Sequence, residues 1–124
     1  MHLSGKKILV VDDNESFLDM LVFALKTEGF KVTGVQDGLE ALTQAKHIKP
    51  DLIILDLMIP HLDGHKVCRL IKRDREIQHI PVLIITSRDT DEDRTKAKED
   101  GAEGFLAKPA TVDEILTTIE DLLP

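Results

Sequence analysis

The chain has no tryptophan, no tyrosine and a single cysteine among its 124 residues. One cysteine excludes an internal disulfide, and nothing around Cys68 has the spacing of a metal-binding motif. No apolar run approaches the roughly 20 residues needed to span a bilayer. The opening Met1-His2-Leu3-Ser4-Gly5-Lys6-Lys7 lacks the apolar core of a secretory signal. These absences make a cytoplasmic protein with no membrane partner the expectation. Positive charge is also in deficit, with 16 Lys and Arg against 23 Asp and Glu and a formal net charge of -7. That balance argues against direct nucleic-acid contact by this chain, though not against a DNA-binding domain in a partner. Repeats, low-complexity segments and linkers are missing too. Residues 1–124 therefore read as one domain, large enough for a single core, with 1–5 as a poorly ordered N-terminal extension.

What the chain does have is short apolar runs that end on carboxylates. Leu52-Ile53-Ile54-Leu55 runs into Asp56, and the segment is bounded by Pro50 and Pro60. An unbroken run between breakers fits a strand buried on both faces of a parallel sheet. Asp56 then stands at the carboxyl end of a central strand, the edge where open α/β sheets bind ligands. Ile8-Leu9-Val10-Val11 repeats the pattern and ends on Asp12-Asp13.

Between these runs lie helical segments. Asn14 is a candidate N-cap for a helix carrying Phe17, Leu18, Leu21, Val22 and Leu25 inward, with Gly29 as terminator. Phe30–Val35 reads as a strand interrupted by Lys31 and Thr33, hence at a sheet edge. Asp37 and Glu40 resemble a capping box before Leu42, Ala45 and Ile48. Asp63 caps a third helix with Val67, Cys68 and Ile71 inward. Val82-Leu83-Ile84-Ile85 is a strand ending at Thr86-Ser87. The charged segment from Asp91 to Asp100 is helical by propensity, with only Ala97 clearly inward. Phe105-Leu106-Ala107 forms a last strand before Lys108-Pro109, and Thr111-Val112-Asp113-Glu114 is a capping box. It opens a helix with Val112, Ile115, Leu116, Ile119 and Leu122 or Leu123 inward. Five strands alternating with five helices predict a doubly wound parallel α/β sheet. The edge character of the second strand selects the flavodoxin-like order 2-1-3-4-5, a (βα)5 single domain.

Under that order the acidic ends of strands one and three meet. Asp12, Asp13 and Asp56 then share a pocket with Thr86 and Lys108. A lone Asp at a strand end is usually a turn former, but crowded carboxylates repel one another unless a cation joins them. Oxygen-only ligands suit Mg²⁺, which keeps several waters and is completed by phosphate. A lysine and a hydroxyl opposite can hold the remaining phosphoryl oxygens. This is equipment for phosphoryl transfer onto an aspartate.

These residues resemble the receiver domain of bacterial two-component response regulators over essentially the whole chain. The matching positions are Asp12-Asp13, Leu55-Asp56-Leu57-Met58-Ile59-Pro60, Thr86-Ser87 and Gly104-Phe105-Leu106-Ala107-Lys108-Pro109. The resemblance implies that Asp56 accepts a phosphoryl group from a histidine kinase, a phosphotransfer protein or a small acyl phosphate. It implies direct Mg²⁺ binding by Asp13, Asp56 and the backbone carbonyl of Met58, with Asp12 acting through water. Thr86 and Lys108 contact the phosphoryl oxygens, and Thr86 and Phe105 form the switch. The Lys108-Pro109 bond is expected cis, and Met58 and Arg88 tune dephosphorylation. The protein is then a switch rather than an enzyme, acting only on its own phosphorylation and dephosphorylation. It signals through residues 88–108, Phe105 and the exposed side of the last helix (Thr117, Thr118, Asp121) to an effector protein, a fused output domain or a phosphorylation-dependent second copy.

Rival readings fit less well. An unphosphorylated pseudo-receiver would lack part of the acidic constellation. An aspartate-nucleophile phosphatase of the haloacid-dehalogenase type has Asp-x-Asp, not adjacent aspartates. An FMN carrier needs a hydroxyl-rich phosphate loop where Asp12-Asp13 stands. The five histidines show no ligand spacing and read as surface residues, His61 and His65 flanking the Asp63-Gly64 turn. Cys68 reads as a small buried hydrophobe.

Overall fold

The computed structural model describes residues 3–124. Five strands, β1 (Lys7–Val11), β2 (Lys31–Val35), β3 (Leu52–Leu55), β4 (Val82–Thr86) and β5 (Gly104–Ala107), pair in parallel in the order β2-β1-β3-β4-β5. The helices are α1 (Glu15–Thr27), α2 (Gly38–Ile48), α3 (Gly64–Arg73), α4 (Asp91–Glu99) and α5 (Val112–Leu122). The doubly wound order expected from the sequence is the one observed. No helix among the described residues is long and apolar enough to cross a membrane.

The unbroken apolar strands follow from two covered faces. Side chains alternate across a strand, so each central strand divides its residues between two cores. Leu9, Val11, Ile53, Leu55, Val82 and Ile84 face Ala41, Ala45, Val67, Cys68, Ile71 and Ala97 of α2, α3 and α4. Ile8, Val10, Leu52, Ile54, Leu83 and Ile85 face Leu18, Leu21, Leu25, Ile115 and Ile119 of α1 and α5. Edge strand β2 leaves Lys31 and Gly34 exposed.

The helices start where the caps stand. Asn14, Asp37, Asp63, Thr90 and Thr111 each accept a backbone N–H from the third residue onward. Thr111 and Glu114 complete a reciprocal capping box.

Four expectations need correction. Met1 and His2 lie outside the described residues, but Leu3 is buried in the core and the Gly5 N–H donates to Gly29 O at 2.8 Å, while Ser4 and Gly5 themselves are exposed. In α2 the fully buried side chains are Ala41 and Ala45; bulkier Leu42 and Ile48 sit half-buried at its flanks. In α5, Thr118 is half-buried, with its hydroxyl donating to Glu114 O. His65 is buried at 2% exposure, because α4 brings carboxylates to both of its ring nitrogens. His47, His61 and His79 are exposed.

Candidate functional site

The carboxyl ends of β1, β3, β4 and β5 bring Asp12, Asp56, Thr86 and Lys108 together. The sheet ladder extends past the strand ends and fixes each backbone. The Asp12 N–H donates to Val35 O at 3.1 Å, Asp56 N–H to Val11 O at 3.0 Å, and Lys108 N–H to Thr86 O at 2.8 Å. Each aspartate then folds its own loop. The Asp12 carboxylate accepts from Asn14 N–H at 2.9 Å and Asp56 from Met58 N–H at 3.0 Å, side-chain turns that Asp forms readily. The Lys108-Pro109 peptide is cis.

The side chains converge on one ammonium group. Lys108 Nζ donates to Asp12 Oδ2 at 2.8 Å and to Asp56 Oδ2 at 3.0 Å. The Thr86 hydroxyl donates to the other Asp56 oxygen at 2.6 Å, and itself accepts the Arg88 N–H at 3.2 Å. Asp12, Asp56 and Thr86 are all buried. Burial pushes the Asp12 carboxyl above its ordinary range and Asp56's charge adds to that, while bonds from Lys108 and Asn14 oppose it. Burial works to lower the Lys108 pKa, but the two carboxylates outweigh it and raise it. Phe17 of α1 lies beneath the ammonium, 4.1 Å from ring centroid to Nζ, a cation–π contact. The sequence had placed Phe17 only on the inward stripe of its helix.

The remaining candidates surround this centre. Asp13 is exposed beside Asp12. Met58 is 53% exposed, its sulfur 3.8 Å from the Ser87 hydroxyl. Arg88 extends away from the carboxylates toward α4, where its Nε lies 3.0 Å from Asp93 Oδ1. Phe105 is half-buried against the α4 side of the core, with the Arg94 guanidinium 4.7 Å over its ring. Gly64 is required by the site: a Cβ there would lie 2.4 Å from Asp56 O and 2.5 Å from Leu57 Cα. Its N–H ties the loop back to Leu57 O at 2.9 Å.

The donor chemistry suits a hard cation. Side-chain oxygens and a nearby carbonyl are what Mg²⁺ takes, and Asp12 and Asp56 already share a cationic group, the lysine ammonium. Among the described residues no three His, Cys, Asp or Glu side chains enclose a single point. Mg²⁺ is a cation that keeps several waters and takes substrate oxygen alongside one or two carboxylates. Buried carboxylate, ammonium and hydroxyl together form a site that can take a nucleophilic role at Asp56 and hold an anion beside it.

Known proteins resemble the chain over most of its length. The profile of the response regulator receiver domain matches residues 8–120. The chain is 39% identical over 119 residues to the alkaline phosphatase synthesis transcriptional regulatory protein PhoP of Bacillus subtilis, covering 96% of this chain and 49% of PhoP. It spans about half or less of the length of the curated relatives it matches. The fold superposes on chemotaxis response regulator CheY4 of Vibrio cholerae with a TM-score of 0.90 at 30% identity, covering 97% of this chain and 100% of CheY4. It also superposes on the receiver domain of sensor histidine kinase PA1611 from Pseudomonas aeruginosa, described with a magnesium ion coordinated in its active site cleft. That match has a TM-score of 0.88 at 28% identity and covers 96% of this chain and 98% of the other.

Proposed function

This chain belongs to the family of response regulator receiver domains, and from that membership we propose that it is a phosphoacceptor switch whose acceptor is Asp56. The observation that carries the reading is the Lys108 ammonium bonded to both Asp12 and Asp56 while the Thr86 hydroxyl holds the other Asp56 oxygen. An Asp56 oxygen attacks the phosphorus of a phosphohistidine or of a small acyl phosphate. The P–N or P–O bond to the leaving group breaks, the leaving group keeps the electron pair, and the phosphoryl group stays on Asp56 as an acyl phosphate.

The chain's own groups assist by position and charge. Lys108 offsets the negative charge that gathers between the carboxylates and the phosphoryl oxygens. Thr86 donates a hydroxyl at the rim of the same space. Mg²⁺ would be held directly by Asp13, Asp56 and the Met58 carbonyl and through water by Asp12; when bound, it neutralises phosphoryl charge. The magnesium described in the active site cleft of the PA1611 receiver supports Mg²⁺ as the cation. Met58 and Arg88, each two residues beyond a site residue, control the approach of the water that removes the phosphoryl group.

The partner upstream is a histidine kinase or phosphotransfer protein. Downstream, residues 88–108 with Thr86 and Phe105 relay the change to an effector, a fused output domain or a second copy. The greater length of PhoP supports an output domain outside this chain. This acidic receiver leaves any nucleic-acid contact to such a domain. Its only chemistry is on itself.

Incubation with acetyl phosphate and Mg²⁺ is expected to add one phosphoryl group by intact mass, with none on Asp56→Asn and none in excess chelator. Labelling of Asp56→Asn at the native rate would assign the acceptor elsewhere.

A further inference from the structure

The buried histidine that the sequence pattern concealed lies outside the phosphoacceptor cluster and holds a whole helix. His65 Nδ1 is 3.0 Å from Asp100 Oδ2, and Nε2 is 3.2 Å from Asp93 Oδ1. Asp93 belongs to the first turn of α4 and Asp100 is its C-cap. One imidazole on α3 therefore grips both ends of α4. Its hold matters because Ala97 is the only buried apolar side chain that α4 contributes.

A carboxylate only accepts hydrogen bonds, so a ring that satisfies both partners carries a proton on each nitrogen. In either neutral tautomer a lone pair would face a carboxylate oxygen. Asp93 is ionised in this setting: the Thr90 hydroxyl bond, followed by the bonds from His65 and Arg88, holds its carboxyl below the ordinary range despite burial. The other groups facing the pair are two cations, a hydroxyl and a thiol. Arg69 Nη1 of α3 lies 3.4 Å from Asp100 Oδ1, Arg88 Nε from the β4–α4 loop is 3.0 Å from Asp93 Oδ1, and Thr90 Oγ1 is 2.8 Å from Asp93 Oδ2. Cys68 Sγ meets the Asp100 carbonyl at 3.8 Å.

The clasp is connected to the acceptor. Arg88 binds Asp93 through its guanidinium and the Thr86 hydroxyl through its backbone N–H, and that hydroxyl donates to Asp56. Hydrogen bonds and the Arg88–Asp93 ion pair, joined through the Arg88 side chain, thus lead from Asp56 to both ends of α4.

We propose that His65 is a positioning residue for the switch: with its two ring nitrogens bridging Asp93 and Asp100 it clasps α4 onto α3 in the unphosphorylated arrangement, and loss of the ring releases α4. The proposal rests on the reading of Asp56 as phosphoacceptor for its functional consequence, because release of α4 then favours phosphorylation by linkage.

The test uses the native chain, His65→Phe and His65→Gln. Amide exchange across residues 88–100 is measured by NMR at one fixed pH. Both variants are expected to show α4 protection about tenfold below that of the native chain, with β1 and β3 amides unchanged, and acetyl phosphate labelling of Asp56 several-fold faster. Native-like α4 protection in a folded His65→Phe or His65→Gln chain overturns the clasp. Failure of the native chain to be labelled at Asp56 overturns only the phosphoacceptor reading, because the exchange measurement is made without phosphate.

Discussion

Asp12 shows how the site strains the fold that carries it. Burial raises its carboxyl pKa, with Asp56's charge adding to the effect. A group whose folded pKa lies above its unfolded one contributes stability below the unfolded pKa, and that contribution is lost as pH rises through the folded pKa. At neutral pH the charged form thus opposes folding. Asp12→Asn is expected to raise stability at pH 7 by on the order of 1 kcal/mol, while slowing phosphorylation. The gain should shrink in acid, where the native carboxyl is neutral too; urea unfolding at several pH values measures both. A destabilised Asp12→Asn at pH 7 would mean that the Lys108 bonds outweigh burial. Cys68 makes a second expectation at this scale. Burial pushes its thiol up to about 12, with the nearby Asp100 charge adding to the effect. Iodoacetamide should therefore leave it unmodified in the folded chain and alkylate it readily in denaturant. Asp12, Asp56, Thr86 and Lys108 were legible in the sequence because each ends an apolar run. His65 was not, since its partners Asp93 and Asp100 stand 28 and 35 residues away and no local pattern joins them.

Among the elements, α3 and α4 carry what the sequence under-specified. The start of α3 at Gly64 packs so closely on the Asp56–Leu57 backbone that a methyl group has no room. Gly64→Ala is expected to cost about 1–3 kcal/mol by overpacking and to slow phosphorylation by shifting the acceptor loop. Denaturant unfolding and acetyl phosphate labelling check the two effects. At α5 the capping box read from Thr111 to Glu114 is present as read. Strands and caps were legible because their signals are local: apolar runs between breakers, and Asn, Asp or Thr before a periodic segment. The anchoring of α4 was not. With Ala97 as its single apolar anchor it read as a loosely packed helix, whereas Asp93 and Asp100 add buried polar attachments. Binary patterning counts a charged residue as outward and cannot register a carboxylate turned inward to a histidine.

At the scale of the whole molecule, the proposed function makes the sheet a link between the carboxyl-edge cluster and the α4 face. Phosphorylation at the proposed acceptor would add about -1.5 to -2 charge at Asp56, beside an ammonium and a hydroxyl that now bond the free carboxylate. Those groups are expected to follow the new oxygens. Movement of Thr86 frees the Arg88 N–H that it accepts, and so disturbs the loop leading into α4. Phe105, half-buried between that helix and the core, is expected to turn inward into that space, taking its ring from under Arg94. Under the proposed switch the two packings exchange population, and a partner that prefers the second would also favour phosphorylation. With four phenylalanines and no other aromatic ring apart from histidine, Phe105 can be followed directly by NMR. A phosphoryl mimic with Mg²⁺ is expected to move the Phe105 ring signals and the amides of residues 88–100, while the β1 amides away from the site stay in place. If the mimic occupies Asp56 and those signals do not move, the signal leaves this domain by another face.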